Sequence, residues 1–336
     1  MQAVQQFYPI LSKPQRIAIT MHQKPDGDAM GSALGLYHFL IQMGHAVTVV
    51  SPTNWPPVFS FMPAIKTVLD FESNDKQKAI AAIKECDILF CLDFNVLYRT
   101  KNLAPVIEAT SSIKVLIDHH EQPQVDAFNY GVSIPAKSST CEMVFDFIVD
   151  SGNDHLINKD VAQCLYAGIM TDTGSFRFPS TSASVHHAVA RLKETGLEHW
   201  KVHEAIYDSS LENRLRFIGH ALLNRMEVIY EYNTAIMFIP KFDLLKFNIR
   251  TGDTEGLVNY LLSIQGIKIG ALVIDRDEER KWSFRSKGEI DVNAFARKHF
   301  EGGGHVNAAG GRSSASLDET VKHFKEVIKL YQRELQ

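Results

Sequence analysis

Eight side chains able to ligate a metal or move a proton stand at four places in the sequence. They are His22, Asp26 and Asp28 in HQKPDGDAMGS, Asp93 in CLDFN, Asp118, His119 and His120 in the triplet DHH, and Asp172 in GIMTDTGSF. Carboxylates with imidazoles and no thiolate form a hard donor set, better suited to Mn²⁺ or Mg²⁺ than to structural zinc. Asp26 and Asp28 repel each other unless cations lie close. Two residues apart in an extended loop, they are expected to point in opposite directions, so that each addresses a different ion at the roughly 3.5 to 4 Å spacing of two-metal hydrolases. Four aspartates (Asp26, Asp28, Asp93 and Asp172) balance two divalent cations, so a water at such a site can still lose its proton near physiological pH.

Taken singly, an aspartate after a strand is ordinarily a helix cap or turn former, and Asp28 sits where an N-cap would sit. The set carries more weight than its members. Three apolar runs, RIAITMH, DILFCLDF and IKVLIDHH, lead directly into these groups, and the segments between them have helical patterns. Strands alternating with helices imply a parallel sheet covered on both faces, whose ligand site lies outside the carboxyl ends of the strands. There the groups should converge. Residues 138–196 turn helical in SSTCEMVFDFIVDSG, NKDVAQCLYAGIM and SASVHHAVARLKETG, and the pair His186-His187 belongs to packing and surface on the last of these. The expected organisation is a catalytic α/β domain over 1–196, a helical linker over 197–224 and a smaller mixed α+β domain over 225–336.

The 336 residues, 45% apolar and 22% charged with a net charge of −4, describe an ordinary globular chain without the basic field that grips long duplex nucleic acid. Cys86, Cys91, Cys141 and Cys164 form no CxxC pair and read as buried thiols of a reducing compartment. With neither a leader pattern nor a long apolar window, the expectation is a cytoplasmic protein with no membrane partner.

In the last third, MEVIYEYNTAIMFIP reads as a hairpin turning near Asn233, and IGALVIDRDEERKWSFRSKG as a second turning at DEER. Alternation in KWSFRSKG puts Trp282, Phe284 and Ser286 on a core face and Ser283, Arg285 and Lys287 on the other. In EGGGHVNAAGG, Gly302, Gly303 and Gly304 lead into His305 and an apparent small-residue helix start, where backbone N–H groups could meet an anion with no Cβ in the way. Eight basic and six acidic residues between Arg276 and Arg312 make no broad basic track, which favours a short substrate over a polymer.

Together, HxxPDxDAxGS at 22–32, Asp93, Asp118-His119-His120, Asp172 and the GGGH of 302–305 resemble the DHH phosphoesterases with their DHH-associated second domain. The likeness covers almost the whole chain. It implies that His22, Asp26 and Asp93 hold one Mn²⁺, and that Asp28, Asp93, His119 and Asp172 hold the other, with Mg²⁺ or Co²⁺ as alternative ions. By the same likeness Asp93 bridges, His120 touches the phosphate or supports the ligands, and Asp118 orients the histidines. Gly302 to His305, with Arg285 and Ser286, would contact substrate. Compact two-domain chains of this kind resemble the branch that cuts short RNA to mononucleotides and 3′-phosphoadenosine-5′-phosphate to AMP. Relatives that split cyclic or linear di-adenosine nucleotides, polyphosphate or pyrophosphate give the alternatives, and a homodimer is a common assembly.

Overall fold

The computed structural model describes residues 1–209, 211–250, 252–276 and 279–336. They divide into two compact units, Met1–Ser209 and Ser210–Gln336. The first is built on seven strands: β1 (Gln2–Ala3), β2 (Arg16–Thr20), β3 (Ala46–Ser51), β4 (Leu69–Asp70), β5 (Ile88–Leu92), β6 (Ile113–Asp118) and β7 (Tyr130–Ser133). All pair in parallel, in the order β1-β7-β6-β5-β2-β3-β4. Its helices are α1 (Gly27–Gln42), α2 (Lys76–Glu85), α3 (Ala104–Ala109), α4 (Thr140–Asp150), α5 (Lys159–Asp172), α6 (Ala183–Glu194) and α7 (His199–Tyr207).

The central strands read as unbroken apolar runs because both faces are covered. Ile17, Ile19, Ile88, Phe90, Leu92, Val115 and Ile117 enter a core shared with α1, α4 and α5. The intervening Ala18, Leu89, Cys91 and Leu116 enter a second core under α2 and α3. β1, β4 and β7 were not foreseen; at two to four residues they are too short to show a period.

α1 and α5 pack closely because α1 turns Gly27, Gly31 and Gly35 toward its neighbour. A Cβ on Gly31 would meet the Cys164 carbonyl oxygen at 2.5 Å, and one on Gly27 would strike the Thr171 side chain. Asp28 lies in the first turn of α1 and Asp172 ends α5, so this approach fixes their separation. Gly31→Ala is expected to lower stability by about 1–3 kcal/mol, as overpacking does, in chemical denaturation of the whole chain.

The second unit carries α8 (Glu212–Asn224), α9 (Lys241–Lys246), α10 (Asn259–Leu262), α11 (Val292–His299) and α12 (Leu317–Lys329) around a six-stranded sheet. Its strands are β8 (Met226–Ile229), β9 (Thr234–Ile239), β10 (Ile269–Arg276), β11 (Glu279–Ser286), β12 (Gly303–His305) and β13 (Ala308–Ser313), in the order β12-β13-β11-β10-β9-β8. β9 and β10 run parallel and the other pairs antiparallel, the mixed α+β arrangement expected. Asn233, in the left-handed region at φ 45°, turns the first hairpin. The DEER turn of the second falls on Asp277 and Glu278, outside the described residues. Trp282 and Phe284 are fully buried against Phe295, Phe300 and Phe324.

Two expectations are corrected here. The helical stretch foreseen over Glu198–Asn224 is two helices, α7 in the first unit and α8 in the second. The segment after GGGH is no helix start but the β12–β13 hairpin, held because β13 also pairs with β11. Small residues misled: with few β-branched side chains the run has little intrinsic strand character, yet close backbone pairing needs them small. A Cβ on Gly302 would collide with the Gly310 carbonyl oxygen.

Candidate metal centre

The chain leaves β2 outward through β3 and β4, then returns to β5 on the other side of β2, so the strand order reverses between β2 and β5. A crevice opens at such a switch point, beyond the carboxyl ends of the strands. His22 lies just past β2, Asp93 follows β5 directly and Asp118 closes β6. Asp93 stands in the left-handed region at φ 62°, which an aspartate tolerates better than most residues.

Asp26, not Asp28, is the N-cap of α1: its Oδ1 accepts the N–H groups of Asp28 at 3.0 Å and Ala29 at 3.1 Å. Asp28 lies in the first helical turn. An extended chain would in fact have set residues two apart on one face. The change from the extended N-cap to helix is what turns the two carboxylates apart.

Candidate ligands whose donor atoms lie within 4.8 Å of one another include His22, Asp26 and Asp93 as one group and Asp28, His119 and Asp172 as another. His22 Nε2 is 3.4 Å from Asp93 Oδ2 and 3.8 Å from Asp26 Oδ2. His119 Nε2 is 3.4 Å from Asp172 Oδ2, 3.8 Å from Asp28 Oδ2 and 3.5 Å from Asp93 Oδ1. The two oxygens of Asp93 thus face different groups.

The imidazoles are oriented from behind. His22 Nδ1 lies 2.8 Å from the Gln23 carbonyl oxygen, and His119 Nδ1 lies 3.3 Å from that of Lys137. With each Nδ1 set against a carbonyl oxygen, Nε2 is the nitrogen that faces the carboxylates. Asp118 hydrogen-bonds His120: Oδ1 is 2.7 Å from His120 Nδ1, and Oδ2 accepts the His120 N–H at 3.1 Å. It therefore orients His120, and the Lys137 carbonyl takes that part for His119.

Electrostatics fit a cation. Burial, then Asp93 and Asp172, push the Asp28 carboxyl well above its ordinary pKa. Burial alone would lower His22, but Asp26 and Asp93 outweigh it and raise its pKa to about 10. Against burial, His22 lowers Asp93, and the neighbouring carboxylates raise His119. Divalent cations would relieve the mutual repulsion of so many buried carboxylates. With oxygen and imidazole donors and no thiolate, both groups fit hard divalent ions.

The segment Lys137–Cys141 was not foreseen. Thr140 Oγ1 donates to Asp93 Oδ1 at 3.0 Å, and the N–H groups of Thr140 and Cys141 donate to Asp28 at 2.7 and 2.8 Å. The signal available was the S-x-x-E of Ser139 to Glu142, which marks a helix N-terminus. Ser139 does cap α4, accepting the Glu142 N–H at 3.0 Å.

In the second unit, the register pairs Arg285 with Ala308 and Ala308 with His305, setting the three in one row across β11, β13 and β12. Arg285 Nη1 donates to the Phe284 carbonyl at 2.9 Å. Ser286 is buried; its hydroxyl donates to the Ile290 carbonyl at 2.6 Å and accepts from Asn307 at 2.9 Å, bracing the loop beside the hairpin. His186 and His187 are exposed on α6.

Residues 16–169 match the model of the DHH family, N-terminal domain, and residues 231–331 that of the DHHA1 domain. The chain belongs to the DHH family. Among relatives, it is 29% identical over 310 residues to the bifunctional oligoribonuclease and PAP phosphatase NrnA of Bacillus subtilis, covering 90% of each chain. It is 27% identical over 321 residues to the protein of the same name from Thermus thermophilus, covering 93% of this chain and 89% of that one. A crystal structure of an exopolyphosphatase-related protein from Bacteroides fragilis superposes with a TM-score of 0.94 at 35% identity, over 98% of this chain and 97% of that one. RecJ of Thermus thermophilus, solved in complex with Mn²⁺, shares the fold at a TM-score of 0.52 and 12% identity, over 98% of this chain and 55% of RecJ. Five of the six DHH ligand candidates lie within the N-terminal match; Asp172 lies three residues beyond its end. Among the described residues no helix is long and apolar enough to cross a membrane.

Proposed function

We propose that this protein is a two-metal phosphoesterase that hydrolyses short oligoribonucleotides to mononucleotides and 3′-phosphoadenosine-5′-phosphate to AMP. The observation that carries the reading is Asp93, whose two oxygens face two separate groups of carboxylates and imidazoles. The activities in the names of the NrnA relatives, of whose length the chain covers 90% and 89%, supply the substrate class. His22, Asp26 and Asp93 would hold one ion and Asp28, Asp93, His119 and Asp172 the other, with Mn²⁺ the expected ion. Such ions, when bound, polarise phosphoryl oxygens and acidify water.

The chain's own residues do the rest. Gln23 and Lys137 hold His22 and His119 with Nε2 toward the carboxylates. Asp118 fixes the His120 ring, which we assign to the scissile phosphate. The second unit recognises the substrate through His305, Arg285 and the backbone of Gly302, Gly303 and Gly304, while Ser286 supports the hairpin. His305→Ala should raise KM for a 5′-phosphorylated diribonucleotide about tenfold or more, as loss of a charge-assisted hydrogen bond does. Hydrolysis of bis-p-nitrophenyl phosphate should change less than about twofold. Equal losses on both would remove His305 from recognition.

One observation favours a second reading, hydrolysis of phosphoanhydrides: the 35% identical relative is described as exopolyphosphatase-related. A Mn²⁺-dependent panel decides between them, comprising di- and pentaribonucleotides, 3′-phosphoadenosine-5′-phosphate, cyclic di-adenosine monophosphate, pyrophosphate and a short polyphosphate. Mononucleotides from RNA with phosphate from the bisphosphate support the first reading. Turnover of the inorganic substrates alone overturns it.

A further inference from the structure

Three ligand candidates from three different elements lean on one short segment outside all of them. Asp28 from α1 accepts the N–H groups of Thr140 on Oδ2 and of Cys141 on Oδ1. Asp93, after β5, accepts the Thr140 hydroxyl on Oδ1, the oxygen that faces His119. His119, after β6, sets Nδ1 against the Lys137 carbonyl. Thr140 is the one residue among these that touches both carboxylates, through its N–H and its hydroxyl.

The segment is itself braced. Glu142, buried, accepts the Ser138 N–H at 2.9 Å, the Ser138 hydroxyl at 2.8 Å, Lys137 Nζ at 2.8 Å and the Ser184 hydroxyl at 2.7 Å. Asp146 takes Lys137 Nζ as well, at 2.6 Å. Thr140 and Cys141 are the first two residues of α4, so the dipole of that eleven-residue helix adds its positive end beneath the buried Asp28 carboxylate. Each carboxylate oxygen keeps a second lone pair for a ligand on its other side.

We propose that Thr140 is a positioning residue that fixes the spacing of Asp28 and Asp93 and so sets the metal affinity of the group Asp28, Asp93, His119 and Asp172. The group around His22 should depend on it much less, because the Thr140 hydroxyl bonds Asp93 Oδ1 and not Oδ2, the oxygen that faces His22. This rests on the two-metal reading above and adds an asymmetry to it. Outer-sphere partners of this kind are worth about 10- to 100-fold in metal affinity.

The test is calorimetric titration of the metal-free full-length protein with Mn²⁺ for the wild type, Thr140→Val and Thr140→Ser, with thermal melts of each in EDTA. Two binding events are expected for the wild type. In Thr140→Val one should weaken about 10- to 100-fold while the other keeps its affinity, and Thr140→Ser, which restores the hydroxyl, should recover both. The proposal is overturned if Thr140→Val binds both ions as the wild type does. It is also overturned if both events weaken together, or if Thr140→Ser behaves like Thr140→Val. A wild type that binds no Mn²⁺ would sink the two-metal reading itself, and the positioning role with it.

Discussion

Asp93→Asn is expected to lower kcat on a 5′-phosphorylated diribonucleotide on the order of 10³-fold, the scale on which loss of a single preorganised electrostatic group acts, while the fold survives. The amide matches the carboxylate in size. Asparagine tolerates the left-handed backbone at φ 62° as aspartate does, and its oxygen can still accept from Thr140. What it cannot do is present an anionic oxygen to the His22 group and to the His119 group at once, because one of its two terminal atoms is an NH₂ donor. Asp93→Ala is the poorer test, since alanine in the left-handed region adds about 1–2 kcal/mol of strain. Mononucleotide release and circular-dichroism melts in EDTA measure the two effects separately. An asparagine variant within tenfold of the wild-type rate would take Asp93 out of its bridging role.

Chelation is expected to abolish turnover and, for two sites together, to lower the melting temperature of the first unit by about 10–20 °C, with both restored by Mn²⁺. Ions present at a hundred times their Kd stabilise a site by about 2.7 kcal/mol, and a domain near 200 residues shifts by about 2–4 °C per kcal/mol. In the metal-free first unit, burial and the neighbouring Asp93 and Asp172 oppose a charge on Asp28. Cations remove that conflict. His22, Asp26, Asp28, Asp93, His119 and Asp172 all lie in the first unit, so the transition of the second should shift less. Full activity after exhaustive EDTA treatment and dialysis, with an unchanged melt, would exclude both metal groups.

Much of the site was legible because its chemistry depends on residue type at strand ends, which hydrophobic runs make visible. His22, Asp93 and Asp118 follow runs whose alternate residues fill two cores, and only a sheet covered on both faces keeps strands so apolar. Legibility failed where function rests on backbone. The Lys137 and Gln23 carbonyls and the α4 N–H groups carry no residue-type signature, since every residue but proline owns both groups. It failed again at 302–313, where glycine and alanine hid a hairpin whose pairing comes from β11, distant in sequence.

The sequence by itself determined the two-unit α/β and α+β organisation, the hard donor set and its division among strand ends, because these follow from periodicity and side-chain chemistry. Only the tertiary structure decided that Asp26 caps α1, that Asp93 faces two groups and that Asp118 hydrogen-bonds the His120 ring. Those are matters of direction and distance. They follow from where β5 and α4 come to lie beside α1, contacts more than 100 residues apart in the case of Asp28 and Thr140, which no local pattern encodes.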